Sequence, residues 1–503
     1  MNTESLAAEQ TATPIWVRAF HIIFSFPAML ASLFAVLAVL TVRSRFDDPD
    51  MWWHLKMGEV IWTSHRIPTT DLFSYTTNHH AYIPHEWLSQ LIIYATYKSG
   101  GYSGLMLWLC FFTAAVLIAG YGLCWLYSGN AKVAFVGALT IWLFGTIGFA
   151  IRPQMIGYLL LIIELLILHL GQTRNPRWFL WLPPLFAIWV NCHASFSLGI
   201  AVAAVLLFSS YFSFHSGSLV ATHWAPRARR LLTGGLILSV LALFLNPSGV
   251  KLILYPLNTM LVPSIGVNAV SEWLPLQLGT ARGLALLGVL VGILLLVIVR
   301  KSELYWHELL LMALAAWMAG SHRRLLFPFG ILIAPILSRA LSSSWDNYIA
   351  EQDRQLPNAV LIAISLLIAF MAFPSPQNLA AQVEESSPVK AVEFIKTHNL
   401  SGPMLNDWTD GGYLLWAAPE HPVFIDGRGD IFEWAGVLAE FGKWATLQSD
   451  PNDLLDKYQI SFCLLSRDAP MASVMPQLPN WKVAYSDNIS VIFVRTPPPT
   501  APR

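Results

Sequence analysis

Apolar stretches long enough to cross a bilayer recur along this chain, and they fix its class before any motif is read. A helix needs about 20 mostly apolar residues to traverse the hydrocarbon core. Runs of that kind lie near 20–42, 103–127, 132–151, 154–171, 178–191, 196–214, 231–246, 282–300, 305–321, 325–341 and 358–374. Some are short or carry proline, as at Pro183 and Pro184. Of the 503 residues, 55% are hydrophobic and 12% charged, about half the ~25% charge of a soluble domain. That excludes a soluble globular enzyme, and the hydrophobicity excludes disorder. The first run lies too deep for a typical cleaved leader and no small-residue cleavage pattern follows it, so it reads as a retained span. Cys110, Cys124, Cys192 and Cys463 form no CxxC, zinc spacing or disulfide framework. The expected fold is a polytopic α-helical membrane protein of about eleven transmembrane helices.

The net charge is zero, with 30 bases and 30 acids, yet it is unevenly placed. Residues 384–503 hold 15 acids and 9 bases, leaving 15 acids and 21 bases in 1–383, so a +6 body precedes a −6 tail. An odd number of spans puts the termini on opposite sides. Lys132, Arg174, Arg177, Arg227, Arg229, Arg230, Arg300, Lys301 and Arg354 fall in one set of connections. Arg152, Lys251, Arg282, Arg323 and Arg324 fall in the other. The excess of basic residues on cytoplasmic loops favours a cytoplasmic N-terminus. The loop 43–102 and the tail then share the outer side. Three parts are expected: a membrane domain over 1–375, an extracytoplasmic α/β domain over 384–497, and a Pro-rich end at 498–503.

The outer connections carry the unusual residues. Residues 47–91 contain Asp47, Asp48, Asp50, His54, Asp71, His79, His80, His85 and Glu86, and a loop of such length in a compact protein is usually functional. MWWHLKMGEVIWTSH and HEWLSQLIIYATYKS read as two amphipathic helices lying on the membrane interface. FAIRPQM brings Arg152, WVNCHASFSLG brings Asn191 and His193, SEWLP brings Glu272 and Trp273, and AGSHRRLLFP brings Arg323 and Arg324. Together these line one water-accessible cavity. Glu164 stands apart, mid-span, where a charge costs ~2.5–3.5 kcal/mol; it is neutral or paired, with His169 or with a neighbouring helix.

Asp48 and Asp50, at D-x-D spacing, suit a shared divalent cation such as Mg or Mn, or one of them suits a general base. The plainer alternative is that Asp50 caps the following helix. His85 and Glu86 make a second polar pair, whose plainer role is an interfacial edge. His54 and His85 match no metal spacing. Arg152, Arg323 and Arg324 suit a phosphate clamp, against a plainer role as headgroup-contacting side chains. In the tail, SPVKAVEFIKTH, WAGVLAEFGKWAT and PNDLLDKY read as helices. PMLND, PVFIDGRG and SFCLLSR read as strands, and WKVAYSDNISVIFVR as a hairpin. Asp426, Arg428 and Asp430 form a polar knot, read as a salt-bridged turn in preference to a ligand site.

DPDMWWHLKMGEVIW, IPTTDLFSYT, HEWLSQLI, RPQM, NCHASF, NPSG with YP, SEW, NDWTDGGYLLW and VFIDGRGDIF resemble a bacterial branch of the GT-C superfamily, integral-membrane glycosyltransferases that use polyprenyl-phosphate-linked sugars. The resemblance implies Asp48 and Asp50 as the catalytic acids. It implies His54, His85, Glu86, Asn191, His193 and Glu272 around sugar and acceptor, with Arg152, Arg323 and Arg324 on the leaving phosphate. It implies inverting hexosyl or pentosyl transfer, at the outer face of the cytoplasmic membrane, to a glycan, lipid or protein. The bilayer is a partner and nucleic acid is not. The alternatives are a transporter or flippase, an O-antigen polymerase or ligase, and a non-catalytic scaffold.

Overall fold

The computed structural model describes residues 15–77, 79–261 and 271–496. It is 67% helical. The apolar runs become helical, though 20–42 is divided at Phe24–Ser25 and 178–191 opens with a 3-10 segment, and the helix ends follow local chemistry. After the short α1 (Ile15–Ile23), α2 (Phe26–Val42) starts where Ser25 accepts the amide of Ala28, with Pro27 in its first turn. The central helices are α4 (Trp87–Ser128), α5 (Ala131–Gly145), α6 (Gln154–Thr173) and α7 (Leu182–Cys192). Asn130 caps α5 by accepting from Lys132 and Val133. Then come α8 (Phe196–Ser209), α9 (Pro226–Ala242), α10 (Val250–Leu261), α11 (Ala281–Arg300), α12 (Trp306–Ser321), α13 (Leu326–Ala340) and α14 (Gln355–Ala372). Among the described residues four helices are long and apolar enough to cross a membrane: α4, α6, α11 and α14. Helices α2, α5 and α8 are apolar but shorter.

Close approach in the bundle depends on small residues. A Cβ on Gly120 of α4 would meet Ile141 of α5 at 2.3 Å, and one on Gly137 of α5 would meet the Ser338 hydroxyl of α13 at 1.8 Å. The connections alternate between two ends. At one end Asn130 donates to the carbonyls of Trp345 and Asp346, and Arg339 pairs with Glu308. There β1 (Phe214–Ser216), β2 (Leu219–Ala221) and β3 (Leu304–Tyr305) form a small sheet. The connections bearing Arg174, Arg177, Arg227, Arg300 and Lys301 belong to this end. Every candidate site residue belongs to the other.

The outer loop expected over 43–102, which runs over 43–101 to the break in α4, departs from its sequence reading. Its helix α3 (Asp50–Ser64) does not keep one face solvated: Trp52, Trp53, His54, Leu55, Met57 and Ile61 are all buried. It lies between the first half of α4 and the C-terminal domain. A Cβ on Gly58 would fall 2.2 Å from the Gln90 carbonyl oxygen, so the α3–α4 contact is backbone-close. HEWLSQLIIYATYKS forms the expected second helix, from Trp87 to the kink at Gly101, continuous in chain with the span that follows. It opens α4, which breaks at Gly101, whose φ of 56° lies in the left-handed region. Asp50 does not cap α3. Pro49 holds that position and Asp50 is the first helical residue, its amide donating to Asp48 Oδ1 at 3.1 Å.

Glu164 is buried in α6 beside Gly199, and neither carboxylate oxygen has a hydrogen-bond partner among the described residues. His169 is not its partner; that ring packs on Tyr127, centroids 4.2 Å apart.

The C-terminal part begins with α15 (Pro376–Ser386), which bridges the two expected domain ranges. Its sheet has the order β4 (Met404–Asn406), β5 (Phe462–Ser466), β7 (Ser490–Arg495), β6 (Trp481–Ser486). β4 and β5 are parallel, and β6–β7 is the expected hairpin. The predicted helices form as Val389–Thr397, Val437–Ala445 and Pro451–Lys457. PVFIDGRG is not a strand of this sheet. The Asn406 side chain takes the amide of Phe424 and the carbonyl of Ile425, while Val423 bridges to Ser74 in loop 43–101. That loop and the C-terminal part therefore share one packed body. Trp52 sits edge-on to Tyr413 of α16 (Trp408–Ala417) at 5.0 Å. A buried aromatic of ~200 Å² contributes up to about 5 kcal/mol at ~25 cal per Å². The Pro-rich end 498–503 lies outside the described residues.

Candidate active site

Two polar clusters meet where the helix ends converge. The first is built on Arg152, just before α6. Its Nε donates to Asp48 Oδ2 at 2.6 Å and its Nη2 to Asp48 Oδ1 at 2.7 Å, a bidentate pair. Nη1 reaches Asp50 Oδ2 at 3.1 Å and Glu272 Oε2 at 3.5 Å. Asp50 Oδ1 accepts from Trp53 Nε1 at 3.2 Å. The two aspartates therefore differ. Asp48 has both oxygens committed and an 8% exposed side chain, while Asp50 is 25% exposed. Burial, partly opposed by Arg152, raises Asp50 above the usual carboxylate range. Burial works against the charge of Arg152, but Asp48 and Asp50 outweigh it and hold the guanidinium charged.

The second cluster surrounds Glu86. His54 Nδ1 and His85 Nε2 lie 3.7 Å from its carboxylate, and His193 Nε2 lies 3.6 Å away. Burial raises Glu86 to about 8, lowers His193 to about 3, and lowers His54 and His85. Near neutral pH the group is therefore a protonated acid among neutral imidazoles. The backbone sets two tautomers. The Ser195 amide donates to His193 Nδ1, leaving the proton on Nε2, toward Glu86. His85 Nδ1 donates to the Ile83 carbonyl, leaving Nε2 as an acceptor.

Not every expected residue joins these clusters. Arg324 does: it stacks over Trp273 at 4.4 Å and donates to Gln154 at 3.1 Å. The Arg323 side chain has no hydrogen bond or ion pair among the described residues, and its amide holds the Leu274 carbonyl. Asn191 is a support. It accepts from Trp87 Nε1 at 2.7 Å and donates to the carbonyls of Ala187 and Leu245. The expected knot divides. Asp426 and Arg428 pair in the interior, and Arg428 also binds Asp71 of loop 43–101. Asp430 instead faces the site, accepting from the Tyr255 hydroxyl at 3.3 Å, with Tyr255 stacked on His85 at 4.3 Å. Tyr255 went unassigned in the sequence; its one signal was the YP step that opens the outer connection. The C-terminal domain also touches Asp50, since a Cβ on Gly427 would lie 2.3 Å from Asp50 Oδ1.

A divalent cation fits this arrangement poorly. Among the described residues no three His, Cys, Asp or Glu side chains converge as ligands, and the carboxylates that could contribute are gathered on Arg152.

A bundle whose helix ends gather buried acids, imidazoles and arginines under a small α/β domain defines a class of membrane protein. Its fold is shared with solved structures of membrane glycosyltransferases, at 12–14% sequence identity. No family model and no curated protein matches the chain. Among solved structures, the Archaeoglobus fulgidus oligosaccharyltransferase tethered to an acceptor peptide superposes with a TM-score of 0.54 at 14% identity, over 88% of this chain and 70% of that one. AglB of the same organism, with an inhibitory peptide and a dolichol-phosphate, gives 0.51 at 12% identity, over 90% and 70%. Apo ArnT from Cupriavidus metallidurans gives 0.52 at 14% identity, over 95% and 97%.

Proposed function

We propose that this protein is a membrane glycosyltransferase that moves a sugar from a polyprenyl-phosphate-linked donor to a glycan, lipid or protein acceptor. The carrying observation is the Asp48–Arg152–Asp50 array at the end of a GT-C bundle. A neighbour of that fold holds a dolichol-phosphate. The site lies at the end opposite the basic connections, which supports an extracytoplasmic site and C-terminal domain with a cytoplasmic N-terminus. The eleven-span topology belongs to this proposal.

Asp50 takes the proton of the acceptor hydroxyl as it attacks the anomeric carbon. Asp48 is the positioning residue that holds Arg152. Arg152 and Arg324 stabilise the charge that develops on the leaving phosphate through an oxocarbenium-like transition state. The imidazoles, Tyr255, Glu272 and Asp430 line the sugar and acceptor side. A transporter places its polar groups near mid-membrane, whereas here they gather at one end, with Glu164 as the mid-span exception. Comparing cell-envelope glycans and proteins by mass spectrometry, with and without the gene, tests the reading. Loss of one glycan species is the expected result, and an unchanged profile counts against transfer.

Glu86 adds a pH signature. It is protonated below about 8 and ionised above, where its charge opposes both Asp50 and an anionic donor. kcat/KM is expected to fall as pH rises through about 8. Glu86→Gln should flatten that limb, and a mutant profile that still falls there removes Glu86 from the explanation.

A further inference from the structure

From the charge arrangement around one guanidinium, we infer that Arg152 is a built-in cation occupying the place of a divalent metal ion, so that the protein binds none at its aspartates. Three carboxylates from two segments converge on Arg152: Asp48 at 2.6 and 2.7 Å and Asp50 at 3.1 Å from one, and Glu272 at 3.5 Å from the other. Hard divalent cations take carboxylate oxygens from such a set. A guanidinium supplies one positive charge and five donors in a fixed plane, and it cannot dissociate into solvent or lose its proton. Asp48 gives both oxygens to it, and Oδ1 also accepts the Asp50 amide, so three of its acceptor sites are already taken. A metal at the D-x-D pair would sit against the guanidinium's charge, and Coulomb repulsion between partly buried cations a few ångströms apart is severe. Asp48–Pro49–Asp50 thus has the spacing of a metal motif but serves an arginine brought in from 104 residues away in sequence.

The inference rests on the transferase reading only for what the cation does, namely neutralising a phosphate. Cation occupancy itself is read without substrate. Full-length protein in detergent is titrated with Mn²⁺ and free ion is followed by electron paramagnetic resonance. Wild type is expected to bind no equivalent that Asp48→Asn removes. Arg152→Ala frees the three carboxylates and should gain one Mn²⁺ per protein, with a Kd on the order of the 10⁻⁴–10⁻³ M of weak all-oxygen cages. Adding Asp48→Asn to that variant should abolish the gain. Arg152→Lys keeps the charge and should gain none. A stoichiometric Mn²⁺ site in wild type that disappears in Asp48→Asn overturns the inference, and this arm holds even if Arg152→Ala does not fold. A folded Arg152→Ala that gains no Mn²⁺ overturns it too. Failure here leaves the transferase reading standing, and an unchanged glycan profile leaves the Mn²⁺ result standing.

Discussion

Asp50→Asn is expected to lower turnover of lipid-linked sugar by roughly 10²–10⁴-fold, the usual range for a lost general base, with little change in donor KM. The asparagine carbonyl still accepts from Trp53 Nε1, so the start of α3 is kept. What disappears is the basic oxygen Oδ2, which lies 3.1 Å from Arg152 Nη1 on a partly exposed side chain. Asp48→Asn should behave differently, because that carboxylate is the bidentate holder of Arg152. Releasing the arginine weakens both donor binding and transition-state charge stabilisation, so KM rises while kcat falls. The split between the two variants is the informative readout. If Asp50→Asn retains turnover within about threefold of wild type, Asp50 is not the base. If Asp48→Asn alone is inactive, with no change in KM, the two roles are reversed.

How much of this was legible beforehand depends on what a linear pattern reports. Apolar runs reported the helices well, because burial within a bundle or a bilayer demands continuity in one segment. Helix direction then alternated, so residues at alternate helix ends were brought to one face; for that reason Asp48, Glu86, Arg152, His193, Glu272 and Arg324 could be grouped. Pairing was not legible. Nothing local ties Arg152 to Asp48, and nothing in NCHASF marks Asn191 as the prop of Trp87 rather than a ligand group. Arg323 and Arg324 are adjacent, yet a turn of 3-10 helix over Arg323–Leu325 sends only Arg324 to the Trp273 face. Periodicity also misread α3. Its pattern described one apolar face, but the C-terminal domain covers the other, and only the tertiary fold shows what covers a face. PVFIDGRG has strand composition, yet its backbone partners are a side chain, Asn406, and another domain's loop. Asp430 was placed with Arg428 because they are neighbours in sequence; in the fold one faces the site and the other the interior.

The interior neighbour carries the largest stability effect. Arg428 donates to Asp426 at 2.5 and 2.9 Å and to Asp71 at 2.7 Å, with all three side chains at most 1% exposed. It also packs over Phe73 at 5.0 Å. A buried pair of this kind need not be more stabilising than an apolar substitute, but removing one partner strands charge in the interior. Arg428→Ala strands two carboxylates at once and is expected to cost about 3–5 kcal/mol. Because Asp71 belongs to loop 43–101 and Asp426 to the C-terminal domain, the loss falls on their junction. Thermal unfolding should shift downward, and limited proteolysis should release the C-terminal domain before the bundle. The sign with pH follows from Asp71. Burial raises it, but Arg428 and the Ser74 and Thr77 hydroxyls prevail and hold it at about 2. Its contribution is therefore present above the ordinary carboxylate pKa near 4 and is lost as pH falls through about 2. Asp71→Asn alone should be milder, and its effect should not add to that of Arg428→Ala, since both break one contact. Lys457→Ala, which removes an exposed pair with Glu440, should leave stability unchanged. An Arg428→Ala protein that unfolds within about 1 kcal/mol of wild type, with the C-terminal domain no more protease-sensitive, would mean that the Trp52–Tyr413 packing holds the junction without the ion triad. Turnover separates the cases further: Gly427 and Asp430 flank Arg428 and reach the site, so a loosened junction lowers activity together with stability, whereas a junction held by packing lowers neither.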